Sequence, residues 1–170
     1  PHGVVMGSFS KTVTPGFRMG YLLTKDHDLL RNISTAKEAA DLHTNVFAQY
    51  VIHDYLMHNE LDEHLTKIRE LYRSQARAMV DAMKEFFPYG VEFTIPEGGM
   101  FLWVTLPEGI FAMDLFDKAL EQNVAFVPGD PFYAEGGKRS TLRLNFTNAD
   151  EETIRSGIKR LAEVIEAELA

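Results

Sequence analysis

Gly7-Ser8-Phe9-Ser10-Lys11, followed by Pro15-Gly16-Phe17-Arg18-Met19-Gly20, is the stretch that decides how this chain is read. The apolar run Val4 to Phe9 suits a strand buried on both faces. Its end delivers two hydroxyls and one amine together. The Pro15-Gly16 turn signal then brings round a guanidinium, Arg18, before a second strand from Met19 to Leu23. In open α/β sheets ligands sit outside the carboxyl ends of strands, so the placement suits a site. A phosphorylated carbonyl compound fits the groups present. A lysine in a semi-buried place loses solvation of its charged form, its pKa falls, and its neutral amine becomes available to form a Schiff base. Ser8 and Ser10 can donate to phosphate oxygens, and Arg18 offers a planar, charge-assisted fork to the same group. Taken singly, a Lys and an Arg beside a Pro-Gly turn are ordinary solvated loop residues; their grouping at one strand end is what points to a site.

Outward from that stretch the hydrophobic periodicity gives the architecture. Helices are predicted over Asp28 to Ala40 and Val46 to Met57. The longest periodic segment, Leu61 to Phe87, repeats apolar residues at three- and four-residue steps and is stopped by Pro88 and Gly90. A helix of that length, ~40 Å at 1.5 Å per residue, could bridge two domains. Strands are then predicted at Val91 to Ile95 and Phe101 to Leu106, joined by Pro96-Glu97-Gly98-Gly99. A short helix over Ala112 to Gln122 and strands at Val124 to Val127 and Thr141 to Phe146 follow. Asn148 with Glu151 resembles a capping box opening a last helix with the stripe Ile154, Ile158, Leu161, Ile165 and Leu169. The fold class is α/β. Residues 1–40 read as the tail of one domain, 41–90 as a helical connector, and 91–170 as a small α+β domain.

Composition limits the function classes. The 170 residues, 45% hydrophobic and 11% aromatic, suffice for a sizeable core. The formal charge of −8, with no basic stripe, argues against nucleic acid as a partner of this segment. No apolar run approaches the ~20 residues of a membrane helix. The absence of cysteine excludes thiolate metal sites and suits a reducing cytoplasm, the expected location. Pro1-His2-Gly3 is no signal peptide, and a strand so close to the start suggests that a neighbouring part is missing. His53, His58 and His64 lack metal-ligand spacing, so no metal site is expected. Gly136-Gly137-Lys138 lacks the pattern of a phosphate loop, and Lys138 and Arg139 read as solvated. Phe101 and Trp103 read as core. Pro128-Gly129-Asp130-Pro131-Phe132-Tyr133 reads as a loop by its turn residues, with no catalytic role given to Phe132 or Tyr133.

Ser-x-Ser-Lys with an arginine seven residues on is similar to the cofactor-lysine segment of fold-type-I pyridoxal-phosphate-dependent aminotransferases. The wording resembles most the branch that holds 2-aminoadipate, kynurenine and aromatic aminotransferases and the effector domains of MocR-type regulators. The likeness extends over the chain through Gly98-Gly99-Met100-Phe101-Leu102-Trp103, Val127-Pro128-Gly129-Asp130-Pro131-Phe132 and Leu142-Arg143-Leu144-Asn145-Phe146. Loop 128–133 would then lie near the substrate side chain. The resemblance implies that the chain joins the end of the large cofactor domain to the small C-terminal domain. It implies pyridoxal 5'-phosphate as cofactor, Lys11 as its Schiff-base residue and proton carrier, and Ser8 and Arg18 as phosphate ligands with Ser10 as helper.

Strict alternation over Thr141 to Phe146 puts the leucines on one face and Arg143 on the other. By itself such an arginine would face water; by the resemblance it takes the substrate α-carboxylate. Amino-acid and 2-oxo-acid substrates, a missing N-terminal half and a homodimer are implied likewise. The acidic partner of the pyridinium nitrogen and the ring-stacking residue would lie upstream, so the segment alone is expected to be inactive. A MocR-type effector domain and a non-enzymatic anion-binding module are the competing expectations.

Overall fold

The structure is a computed structural model that describes residues 3–137 and 139–169. The chain divides into two compact units, Pro1–Thr66 and Lys67–Ala170.

In the first unit, strands β1 (Val4–Ser8) and β2 (Gly20–Thr24) form an antiparallel hairpin in register from Val4↔Thr24 to Ser8↔Gly20. Helix α1 (His27–Asp41) starts at Asp26, whose carboxylate accepts from the Leu29 N–H at 2.9 Å. Helix α2 (Val46–His58) starts at Asn45, whose side chain accepts from the Ala48 N–H at 3.1 Å. Each cap satisfies an otherwise orphan amide of the first helical turn. The strand and helix predictions hold to within about one residue, but the burial expected of β1 does not. Val5 is 61% exposed and Met6 77%. A two-stranded hairpin has no second layer, and a strand buried on both faces needs one on each side. Of the described residues in this unit only Ala48 and Ile52 are buried.

Helix α3 (Leu61–Phe86) runs from the first unit into the second. There the chain builds a four-stranded antiparallel sheet in the order β3-β4-β6-β5, from β3 (Glu92–Phe93), β4 (Phe101–Thr105), β5 (Val127–Pro128) and β6 (Thr141–Asn145). Helices α4 (Ala112–Glu121) and α5 (Glu151–Leu169) complete the unit. The core is one cluster. Leu102 and Val104 of β4 and Leu142 and Leu144 of β6 meet Met79 and Met83 of α3, Leu115 of α4, and Ile158, Leu161 and Ile165 of α5. Period-two burial in the strands and 3.6-period burial in the helices therefore point at one interior, as the sequence pattern requires. Removing such side chains from water contributes roughly 1.5–3 kcal/mol each.

Two outer strands are shorter than predicted. Pro96 has no N–H to continue β3, and pairing ends with the Thr94 N–H donating to the Trp103 carbonyl at 2.9 Å. Ahead of β5, Phe126 is buried instead of laddered, its ring edge-on to Phe116 at 5.4 Å. The cap of α5 also differs. Asp150, not Asn148, accepts from the Thr153 N–H at 2.8 Å. Hydrogen bonding from Thr153 holds the Asp150 carboxyl below the usual carboxylate range.

Leu161 is fully buried at the centre of this cluster. Leu161→Ala is expected to cost about 2–5 kcal/mol of unfolding free energy, measured as a lowered urea midpoint at unchanged slope.

Candidate functional site

Two groups of chemically useful side chains stand out, one in each unit. The first is the loop closing the β1–β2 hairpin. The Phe9 N–H donates to the Met19 carbonyl at 3.0 Å and fastens the base of the loop. The Phe9 carbonyl accepts from the Val13 and Thr14 amides at 2.9 and 3.0 Å. Ser8, Ser10, Lys11 and Arg18 all belong to this closed structure. Ser8 Oγ accepts from the Ser10 N–H at 3.2 Å, which leaves its own O–H to donate outward. Arg18 bends back on the turn: its N–H and its Nη1 both donate to the Pro15 carbonyl at 3.3 Å.

Arg18 has φ +53°, the left-handed region that non-glycine residues seldom occupy. Such strain costs of order 1–3 kcal/mol and concentrates at ligand sites. No feature of the sequence signalled it, because arginine carries no turn preference of that kind. Gly7 is a second local requirement. A Cβ there would lie 2.2 Å from the Tyr21 ring, which crosses the strand and meets Phe9 at 5.6 Å between centroids.

Lys11 is exposed, not semi-buried as the sequence suggested. The hairpin offers no second layer to cover it. Hydroxyl donors, a guanidinium and an amine on one short loop nevertheless form a donor set that fits a phosphorylated aldehyde: the first two for phosphate, the amine for the carbonyl.

The second group surrounds Arg143 in the other unit. Arg143 sits on β6, opposite Trp103 of β4 and Val127 of β5. Because Leu142 and Leu144 occupy the core, Arg143 projects from the other face of the sheet. Its guanidinium carbon lies 4.0 Å from the centroid of the Phe101 ring and 5.0 Å from that of Phe132. Each cation–π contact of this kind contributes about 0.5–2 kcal/mol, more as water is excluded. Arg143 Nε is buried with no hydrogen-bond partner among the described residues. Phe132 in turn meets Trp103 edge-on at 5.4 Å, Trp103 meets Tyr133 at 6.4 Å, and Arg139 stacks on Tyr133 at 4.4 Å.

Three sequence expectations change here. Phe101 and Trp103 are not core residues; they share the Arg143 face, as the alternation with buried Leu102 and Val104 could have shown. Arg139 is half-buried and not freely solvated, since Tyr133 covers it and its Nη2 donates to the Gly136 carbonyl at 2.8 Å. Lys138 lies outside the described residues. Loop 128–133, left without a clear role, carries part of the aromatic surround. It is fixed to β6 by the Gly129 N–H, which donates to the Thr141 carbonyl at 2.7 Å.

Against this geometry the comparisons with known proteins are decisive for the family. The profile of aminotransferase class I and II matches residues 1–161. The chain belongs to the class I and II aminotransferase family. The cofactor of that family is pyridoxal 5'-phosphate. This aminotransferase chain is 46% identical to aromatic-amino-acid aminotransferase 1 of Thermococcus litoralis over 98% of its length and 40% of the relative's. It superposes with a TM-score of 0.92 and 46% identity on a kynurenine aminotransferase of Pyrococcus horikoshii, solved with PMP and KYN as substrates and KYA as product, covering 98% of this chain and 41% of that one. The α-aminoadipate aminotransferase of Thermus thermophilus, solved with N-(5'-phosphopyridoxyl)-L-leucine, gives 0.92 at 42% identity, covering 98% and 42%. A weaker likeness, 28% over 93% of this chain and 32% of the relative, links it to the uncharacterized HTH-type transcriptional regulator YisV of Bacillus subtilis. The aminotransferase chain thus spans about two-fifths of the length of the relatives it matches.

A Cβ on Gly129 would stand 2.7 Å from the Thr141 carbonyl oxygen and 2.1 Å from Thr141 Oγ1. Gly129→Ala must therefore push loop 128–133 off β6. The expected cost is about 1–3 kcal/mol, read as a lowered thermal midpoint together with a changed emission of Trp103, the single tryptophan.

Proposed function

We propose that this chain is the C-terminal part of a pyridoxal-phosphate-dependent aminotransferase that exchanges an amino group between an amino acid and a 2-oxo acid. The observation that carries the proposal is the single loop bearing Ser8, Ser10, Lys11 and Arg18, in a chain of this family. On this reading residues 1–40 end the large cofactor domain, 41–90 connect, and 91–170 form the small domain. The remainder of the protein supplies the cover that the β1–β2 hairpin lacks. It also supplies the acidic partner of the pyridinium nitrogen and the residue stacked on the ring. The 170-residue segment by itself is inactive, and the full protein works as a homodimer with amino-acid and 2-oxo-acid substrates.

The roles follow from the chemistry of the side chains. Ser8 and Arg18, with Ser10 assisting, bind the phosphate by charge-assisted hydrogen bonds. When bound, pyridoxal phosphate supplies the electron sink that stabilises negative charge at the substrate Cα. Lys11 Nζ would hold the cofactor through its aldehyde carbon and would carry the proton of the substrate Cα. Arg143 receives the substrate α-carboxylate as a bidentate fork, which fixes the Cα–H bond relative to the lysine.

A second reading has an observation of its own. The 28% likeness to an HTH-type regulator favours a cofactor-binding effector domain in which the same lysine binds pyridoxal phosphate without turnover. Steady-state transamination by the full-length protein separates the two: turnover supports the enzyme, and cofactor binding without turnover supports the effector domain.

In the full-length protein mixed with pyridoxal phosphate, borohydride is expected to fix the cofactor on Lys11, and Lys11→Ala to abolish the trapped product. An undiminished product in that variant refutes the assignment. Arg143→Ala is expected to raise KM for amino acids about 10- to 100-fold, the worth of a charge-assisted hydrogen bond of roughly 1.5–3 kcal/mol, with cofactor affinity nearly intact. Equal loss of both refutes the division of roles.

A further inference from the structure

Arg143 is an unusual receptor in one respect. No hydrogen bond or ion pair to a described residue restrains its guanidinium, and its buried Nε is unpartnered. What holds it is the pair of rings, Phe101 at 4.0 Å and Phe132 at 5.0 Å. Phe101 is carried on β4 in register with Asn145, two residues along from the Trp103↔Arg143 pair. Its place is therefore set by the sheet. Phe132 comes from the loop after β5 and is 50% exposed. Trp103 buttresses it edge-on at 5.4 Å, and Tyr133 stands next to Trp103. The Tyr133 hydroxyl accepts from Thr141 Oγ1 at 3.4 Å, tying this end of the loop to β6.

We propose that Phe101 and Phe132 are positioning residues that clamp the Arg143 guanidinium, so that a carboxylate can approach only in its plane, at the Nη1–Nη2 edge. The proposal rests on the reading of Arg143 as the α-carboxylate receptor and deepens it. Guanidinium faces are weakly hydrated and stack readily on aromatic rings. The two rings, centred 4.0 and 5.0 Å from the guanidinium carbon, take space that water would otherwise fill, and the buried Nε closes the side-on approach. The remaining edge carries two parallel N–H donors matched to one carboxylate. Holding that edge in a fixed plane removes side-chain freedom before the substrate arrives, and such preorganisation appears as affinity. The carboxylate is then oriented by side chains that never touch it. Trp103 acts one step further back, through Phe132.

The test uses the full-length holoenzyme and the 170-residue chain. Phe132→Leu keeps bulk and removes the ring; because Phe132 is half exposed, the variant is expected to fold. It should raise KM for the amino acid about tenfold, the scale of one cation–π contact. The change in kcat should stay within about twofold, with cofactor affinity and thermal midpoint as in the parent. Phe132→Tyr should restore KM, and Phe101→Leu should repeat the effect. In the 170-residue chain, nitrogen–proton NMR of the Arg143 side chain should show faster exchange of the Nε proton with water in Phe132→Leu.

KM and exchange both unaltered in the two leucine variants overturns the clamp. A parallel fall in kcat, cofactor affinity and thermal midpoint also overturns it, because that pattern belongs to a packing role. The underlying reading has its own control: if Arg143→Lys leaves KM unchanged, Arg143 is not the receptor, and this outcome is distinct from failure of the clamp alone.

Discussion

The pleat of β4 and β6 is the constraint on which the second unit depends. Alternate side chains of a strand must point to opposite faces. Leu102, Val104, Leu142 and Leu144 are drawn into the core with the helices. Once that face is buried, Phe101, Trp103 and Arg143 have no choice but to share the other. A slip of one residue in the β4–β6 register would put the arginine in the core and the leucines in water, at a cost far beyond the net stability of a small domain. The hydrophobic interior therefore fixes the face on which Arg143 stands.

The first unit shows the opposite balance. Its hairpin is held by a backbone ladder and one closing hydrogen bond, and its apolar residues are largely uncovered. Local hydrogen bonding is enough to gather Ser8, Ser10, Lys11 and Arg18 on one loop. It does not exclude water from them. The amine chemistry proposed for Lys11 needs that exclusion, since burial is what makes a lysine available as a nucleophile at neutral pH. On the proposed reading, a further part of the protein lies over the hairpin and supplies that exclusion; the chain itself spans two-fifths of the length of its relatives.

On the proposed roles, the two patches would meet different recognition problems. Ser8, Ser10 and Arg18 offer several donors to a phosphate, a tetrahedral group that can be gripped from many directions. Arg143, in the role proposed for it, would meet a planar carboxylate, where orientation decides strength. A guanidinium near two rings suits the second task, with Phe101 on one strand and Phe132 backed by Trp103, which in turn meets Tyr133.

Periodicity in the amino-acid sequence was sufficient for the elements. Helices α1 to α5 and strands β1, β2, β4 and β6 could be read within a residue or two, because each carries its own 3.6- or 2-residue pattern and its own breakers. The grouping of Ser8, Ser10, Lys11 and Arg18 was legible too, being local to one loop. The left-handed backbone of Arg18, the covering of Arg139 by Tyr133 and the rings around Arg143 were not. The backbone of Arg18 is local but carries no residue-type signal, and the Arg139–Tyr133 contact lies outside any periodic element. The rings around Arg143 depend on residues distant in the chain, Phe101 with Arg143 and Trp103 with Phe132, and no periodic pattern encodes such meetings. Burial of β1 was misread for a related reason: an apolar run records that a strand is suited to burial, while the layers that would bury it belong to the tertiary structure alone.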